Sequence, residues 1–230
     1  MDLARQRQLL VVYRDGLLND TLLFWWPRCV DEEHGGFMLA RDRDGSLLDT
    51  DKGMWQQCRA IWLLGTLYNT VEPRAEWLEW AKCGLDFISR HGFDADGRMW
   101  FHVTGEGRPI RKRRYVFTET FAAIAYAALA KATGDDGQAQ KARDLFHLAK
   151  RHLTDPSLTE PKFTDTRPAK AIGAPMIQMV TAQELRHNLD DESLTADIDA
   201  AIAEIRRDFM KPDIGCVMES VAPDGSIIDH

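Results

Sequence analysis

No stretch of this 230-residue chain comes near the roughly 20 consecutive apolar residues that a membrane-spanning helix requires. The amino-terminal segment, MDLARQRQLLVVYRDGLLND, is interrupted by charges throughout, so it does not read as a signal peptide. Cysteine is scarce. Its four residues, Cys29, Cys58, Cys83 and Cys216, lie far apart and form no CxxC pair. That spacing predicts reduced, packed thiols in a cytoplasmic protein, in place of a disulfide framework or a zinc site. Positive charge is also in deficit: the net charge is −7, which argues against non-specific nucleic-acid binding. GxGxxG, P-loop, HExxH and GxSxG motifs are all missing. What remains is ordinary globular composition, 44% hydrophobic and 28% charged, long enough to bury a sizeable core. No membrane, nucleic acid, metal or cofactor is expected.

Helical periodicity is legible along most of the chain. A first helix is expected over about Leu3 to Trp25 and a second over about Lys52 to Asn69, with Trp55, Cys58, Trp62, Gly65 and Tyr68 at steps of three and four. Asp51 is placed to cap the second, its carboxylate accepting from first-turn N–H groups. A third helix follows Pro73, with the stripe Leu78, Ala81, Leu85 and Ile88. A fourth, about Phe117 to Thr133, is apolar on most sides and reads as buried. The fifth carries Ala142, Leu145, Ala149 and Leu153. The sixth, about Lys170 to Leu189, starts near Pro175 and carries Met176, Met179 and Val180. The seventh has Leu194, Ile198, Ala201, Ile205 and Phe209.

Between helices, Asp44-Gly45, Asp96-Gly97 and Asp224-Gly225 each sit beside short strand-like stretches, which predicts hairpins because glycine tolerates the positive φ such turns need. Helix pairs alternating with hairpins suggest a weak structural repeat. No low-complexity linker divides the chain, so residues 1–230 read as a single domain. Seven helices is an odd number for paired architecture, and nothing after the last hairpin covers the seventh stripe. A repeat array normally ends in a cap or closure. The expectation is an all-α but truncated assembly.

Arg59 is the most informative single residue. It lies four after Trp55 and three before Trp62, so the three share one helix side. Either it snorkels outward to water or an ion pair, or it places a permanent cation in an aromatic-lined, sugar-sized pocket. Of the seven tryptophans, most are expected in packing, and Trp55 alone is assigned to a pocket. The seven histidines form no ligand pattern: His147 and His152 are five apart, off a shared face. Arg111-Lys112-Arg113-Arg114 reads as a solvated hairpin arm before Tyr115, in preference to an anion site. Glu119 and Glu219 stand in apolar stretches, as arginine partners or as acceptors for sugar hydroxyls.

Three blocks of the sequence stand out together. The first is Asp31-Glu32-Glu33-His34-Gly35-Gly36-Phe37 with Asp49-Thr50-Asp51-Lys52 and Trp55-Gln56-Gln57-Cys58-Arg59. The second is Phe117-Thr118-Glu119-Thr120-Phe121-Ala122, and the third comprises Ala174-Pro175-Met176 and Val217-Met218-Glu219-Ser220-Val221 before Asp224-Gly225. In this order the blocks resemble the N-acylglucosamine 2-epimerase family, and the resemblance covers essentially the whole chain. It implies an (α/α)6 barrel, or toroid, with the sugar in its central cavity; this chain would supply about seven helices of it, with short β-hairpins between helix pairs. It also implies metal-free epimerisation or isomerisation of an aldose or N-acylhexosamine, by ring opening, removal of the C2 proton and reprotonation of an enediolate-like intermediate. Arg59 matches the family's active-site arginine. Trp55, Tyr115, Glu119, Met176, Gln178 and Glu219 are the expected substrate-binding residues.

The family's two acid/base histidines belong to blocks this sequence does not contain, and His230 sits in no such motif. Two acid/base groups are needed, one on each face of C2. The chain is therefore expected to be the N-terminal part of an epimerase, inactive alone. Two alternatives stand beside this: a non-catalytic partial toroid that binds sugar, or is completed by a homo-oligomer or partner chain, and an α/α-barrel glycoside hydrolase using Glu119 and Glu219.

Overall fold

In a computed structural model, which describes residues 2–160 and 162–228, the chain folds into two layers of antiparallel helices. His230 lies outside the described residues. The first expected helix is a single run with a change of pitch: α1 (Leu3–Gly16), a π-helical turn (Leu17–Thr21) and α2 (Leu22–Trp25). Six further helices follow: α3 (Met54–Thr70), α4 (Ala75–His91), α5 (Phe117–Thr133), α6 (Asp136–Thr154), α7 (Gly173–Leu189) and α8 (Thr195–Glu204). The seven expected helices are all present.

Helices α3, α5 and α7 lie side by side in one layer, and α4, α6 and α8 each pack behind the helix that precedes them in the chain. The alanine-rich α5 has neighbours on nearly every side. Ala122, Ala123, Ala125, Ala127 and Ala128 are fully buried. Small side chains let α3, α6 and α7 approach it closely. Gly65 of α3 meets it without a side chain: a Cβ there would sit 3.1 Å from that of Ala128. Trp62 Nε1 donates to Glu184 Oε2 at 2.8 Å, tying α3 to α7 across the layer. Cys29 and Cys58 are packed thiols, as expected, and burial pushes Cys29 up to about 12 and Cys58 higher still. Cys216 is exposed.

The connections depart from the sequence expectation in detail. Strands β1 (Ala40–Arg41) and β2 (Leu47–Asp49) form the hairpin expected around Gly45 (φ +86°). The Asp96-Gly97 turn closes only a single bridge, Phe93 to Met99. The fuller ladder is β3 (Lys52–Gly53), β4 (Trp100–Val103) and β5 (Pro109–Lys112), so β4 turns at Gly105 and Gly107 instead. The Asp224-Gly225 turn forms too, but its neighbouring strand β9 (Ser220–Val221) pairs with β6 (Lys170–Ala171), and β8 (Cys216–Val217) pairs with β7 (Met210–Lys211). Strands of two residues pair with whichever edge the helices bring close, and turn chemistry alone does not determine that.

Asp51 does not cap α3. Gly53 holds the N-cap position without a side-chain bond, because Lys52 and Gly53 pair with β4. Lys52 is instead drawn wholly inside. Its Nζ donates to Asp31 Oδ2 at 2.6 Å, to the Gly35 carbonyl at 2.8 Å and to the Gly105 carbonyl at 2.7 Å. It also lies 4.2 Å above the Phe87 ring. One buried ammonium thus joins the loop before β1, the strand before α3 and the β4–β5 hairpin.

Candidate functional site

The three side-by-side helices all begin at the same end of the molecule, and there the structure opens into a cavity of about 970 Å³. Trp55 of α3, Phe117 of α5 and Met176 of α7 each stand within the first turn of their helix and line it. The β4–β5 hairpin and the chain after it add Phe101, Arg113 and Tyr115. The segment joining α6 to β6 adds Lys162 and Asp165, and β6 and the chain leading into β9 add Lys170 and Glu219. The first turns of α3, α5 and α7 carry no side-chain cap, so their free N–H groups and positive dipole ends are left toward this space.

One wall is aromatic. Trp55 donates Nε1–H to Thr118 Oγ1 at 2.8 Å, which fixes its ring plane. Edge-to-face contacts join it to Phe101 at 5.4 Å and Phe121 at 5.5 Å, and it lies tilted 6.0 Å from Phe117. Tyr115 continues the wall, 6.0 Å from Phe117. Rings of this kind present flat apolar faces with polar edges, suited to the C–H face of a pyranose.

Two guanidinium groups flank these rings. Arg59, one turn beyond Trp55 on α3, is exposed and lies 4.1 Å over Phe121. It lies beside the aromatic wall, outside the lining of the cavity. Arg113 lies 4.4 Å over Phe101 and does line the cavity. Its Nε is buried without a hydrogen-bond partner. Lysine 170 is engaged elsewhere: it pairs with Asp208 and, at 3.8 Å, with Glu204. Asp208 in turn is held by Arg207 and Lys170, which bring its carboxyl down to about 2.

The residues named from the sequence therefore divide. Trp55, Tyr115, Met176 and Glu219 share the cavity wall. Glu119 does not: it is fully buried behind the wall, where Oε1 accepts from Arg98 Nε at 2.5 Å and from the Met99 backbone N–H at 2.9 Å. It is an arginine partner, one of the two roles its apolar setting suggested. Gln178 faces α8, with Nε2 at 3.4 Å from Asp197 Oδ1, and does not line the cavity. Sequence reasoning missed Phe101 and Arg113. The basic run before Tyr115 is split by the fold: Lys112 pairs with Asp94 and Asp96 at 2.8 and 2.6 Å, whereas Arg113 turns onto Phe101. The signal available was only that Arg113, Tyr115 and Phe117 crowd into the turn that leads from β5 into α5, where the chain bends at Arg114 and Tyr115. Among the described residues, no histidine lines the cavity. Among the described residues, no group of three or more His, Cys, Asp and Glu side chains could hold a metal ion, and no helix is long and apolar enough to cross a membrane.

A family model described as N-acylglucosamine 2-epimerase (GlcNAc 2-epimerase) matches residues 35–183. The N-acylglucosamine 2-epimerase of Rattus norvegicus is 29% identical over 235 residues, covering 97% of this chain and 56% of that protein. The chain thus spans little more than half the length of the curated relative it matches. Among solved structures, the cellobiose 2-epimerase of Bacillus thermoamylovorans superposes with a TM-score of 0.84 at 17% identity, over 96% of this chain and 61% of that one. A D-mannose isomerase superposes with a TM-score of 0.78 at 16% identity, over 94% and 56%. At those identities the structural matches establish the shared helical fold.

Proposed function

The chain belongs to the N-acylglucosamine 2-epimerase family, and from that premise we propose that its cavity is the sugar site of a carbohydrate epimerase or isomerase. The substrate is an aldose or N-acylhexosamine, and the reaction is proton removal and return at C2. The observation that carries this reading is the wall itself: Trp55, Phe101, Tyr115 and Phe117, packed against one another at the N-terminal ends of α3 and α5, with a guanidinium on either side. The sugar stacks on the rings. Removing the C2 proton moves negative charge onto the oxygens of C1 and C2. Arg59 is the group for that charge, being permanently protonated and free of any carboxylate partner among the described residues. The two helical layers form part of an (α/α)6 ring with this cavity at its centre.

The proton-transfer pair is a separate matter. Epimerisation needs one acid/base group on each face of C2, tuned near working pH. Among the described residues the wall offers Tyr115, Asp165, Glu219, lysine and arginine, and no histidine. We therefore expect these 230 residues alone to bind sugar without turning it over. Incubating the chain with N-acetylmannosamine in heavy water and following C2–H by NMR tests this. No exchange is expected; clear exchange at C2 means that groups on this wall transfer the proton after all.

One observation favours a second reading, in which another chain completes the ring. Helix α1 buries none of its residues, and Leu3, Leu10, Val12 and Tyr13 are exposed along it. The glycoside hydrolase alternative finds no support in the geometry. It needs two carboxylates flanking one bond, and Glu119 is sealed behind the wall against Arg98 while Glu219 stands in the cavity.

A further inference from the structure

The cation beside the rings that the C2 chemistry leaves unused is Arg113. Its guanidinium is held flat against Phe101 at 4.4 Å and faces the cavity. Its Nε is buried with no acceptor, and no carboxylate among the described residues comes within ion-pair distance of it. Other basic groups nearby are neutralised by the fold: Lys112 by Asp94 and Asp96, Lys170 by Asp208 and Glu204, Arg98 by Glu119. A buried donor without an acceptor is costly, and stacking on a ring offsets only part of that. Asp165 and Glu219, the carboxylates that line the cavity among the described residues, are exposed and form no ion pair with Arg113. Lys162 lines the same space with no carboxylate partner among the described residues. The uncapped first turns of α3, α5 and α7 add three positive dipole ends directed to the same region.

We infer that the cavity takes a monosaccharide bearing an oxyanion, a phosphate or carboxylate substituent, and that Arg113 receives it. The inference rests on the cavity being a sugar site. A planar guanidinium pinned on a ring presents its N–H groups, the unsatisfied Nε–H among them, as a fork that can donate to two oxygens of one oxyanion. The apolar face of the sugar then lies on Trp55 and Phe117, and its charged substituent lies against Phe101.

Calorimetric titration of the full chain tests this with four ligands: N-acetylmannosamine, its 6-phosphate, glucuronate, and inorganic phosphate alone. At least one anionic sugar is expected to bind about tenfold more tightly than the neutral one, as a charged hydrogen-bonded contact commonly provides. Which of the two does so identifies phosphate or carboxylate as the substituent. The preference is expected to shrink with added salt, to vanish in Arg113→Gln, read as the ratio of anionic to neutral sugar affinity, and to survive partly in Arg113→Lys. Equal affinity for neutral and anionic sugars, or a preference that persists in Arg113→Gln, overturns the inference and leaves the sugar site standing. Inorganic phosphate binding as tightly as the sugar phosphate overturns it too, since the sugar then contributes nothing. Failure of every sugar to bind sinks the sugar site itself. Circular dichroism of both variants confirms that each is folded.

Discussion

Lys52 shows how far a single residue departs from what its type suggests. Lysine is almost never fully buried unless paired, yet here the side chain is 0% exposed and Asp31 only 6%. Asp31 also accepts from the backbone N–H groups of Glu33 and His34, so its charge is satisfied on several sides. The fold holds its carboxyl below the ordinary range even though desolvation pulls upward, because Lys52 and those N–H groups outweigh it. Lys52→Met removes one partner and leaves a buried carboxylate. The expected loss is ~3–5 kcal/mol, against a much smaller loss for Lys52→Met combined with Asp31→Asn. Urea unfolding of the three proteins measures both. In the sequence, Asp31 and Lys52 stood within the block that carried the family resemblance. Their partnership was not legible, because 21 residues separate them and nothing local marks a lysine as internal. The same limit explains Glu119. Its burial could be read from the apolar helix around it, but Arg98 as its partner depends on where the hairpin lands.

Elements were easier to read than their joints. Stripes at steps of three and four located α3, α4, α6, α7 and α8 because each buries one face against a neighbour, and that demand is written locally. Gly84 on α4 shows what the stripe does not convey. An exposed helical glycine replaced by alanine gains up to ~1 kcal/mol of helix propensity. Here a Cβ would stand 2.5 Å from Phe37 and 2.7 Å from Ile61. Both neighbours are fully buried, so overpacking of ~1–3 kcal/mol wins and Gly84→Ala is expected to lower the melting temperature. A rise would mean the Phe37 ring yields easily. The short strands were misassigned for the opposite reason, since their pairing depends on partners distant in sequence. One such pair, β6 with β9, flanks the cavity and hangs on Asp208, which grips Lys170 of β6 and, through its backbone carbonyl, Lys211 at 2.8 Å. Asp208 titrates at about 2 in the fold against an ordinary 3.8. The unfolded chain takes up the proton first as pH falls. The stabilisation is therefore complete above about pH 4 and is lost as pH drops through about 2. Asp208→Asn should flatten that acid limb in urea midpoints measured across this window. An unchanged limb would place the acid sensitivity on other carboxylates.

At the scale of the whole molecule, the two layers account for the packing of α3 to α8 and leave α1 apart. Helices of about 12–15 residues are marginal in water when isolated, and most helical stability in proteins comes from packing an apolar face. α1 has 14 residues, none buried, and exposes Leu10 and Tyr13 at 57% and 73%. Leu22 is the one buried side chain of this run. If the ring is completed by another chain, α1 is a surface that the partner covers, and its backbone should be stable only when it is covered. Hydrogen exchange measured across protein concentration separates the outcomes. Amides of α1 are expected to exchange fast in dilute solution while those of α5, walled in by α3, α6 and α7, remain protected to the global unfolding limit. Raising the concentration should then slow exchange in α1 selectively, together with an increase in mass by light scattering. Tyr13→Glu should abolish both effects without touching α5. Strong protection of α1 in a protein that stays monomeric at every concentration would show that the helix holds its conformation unaided, and the partner-completed ring would lose the observation that favours it.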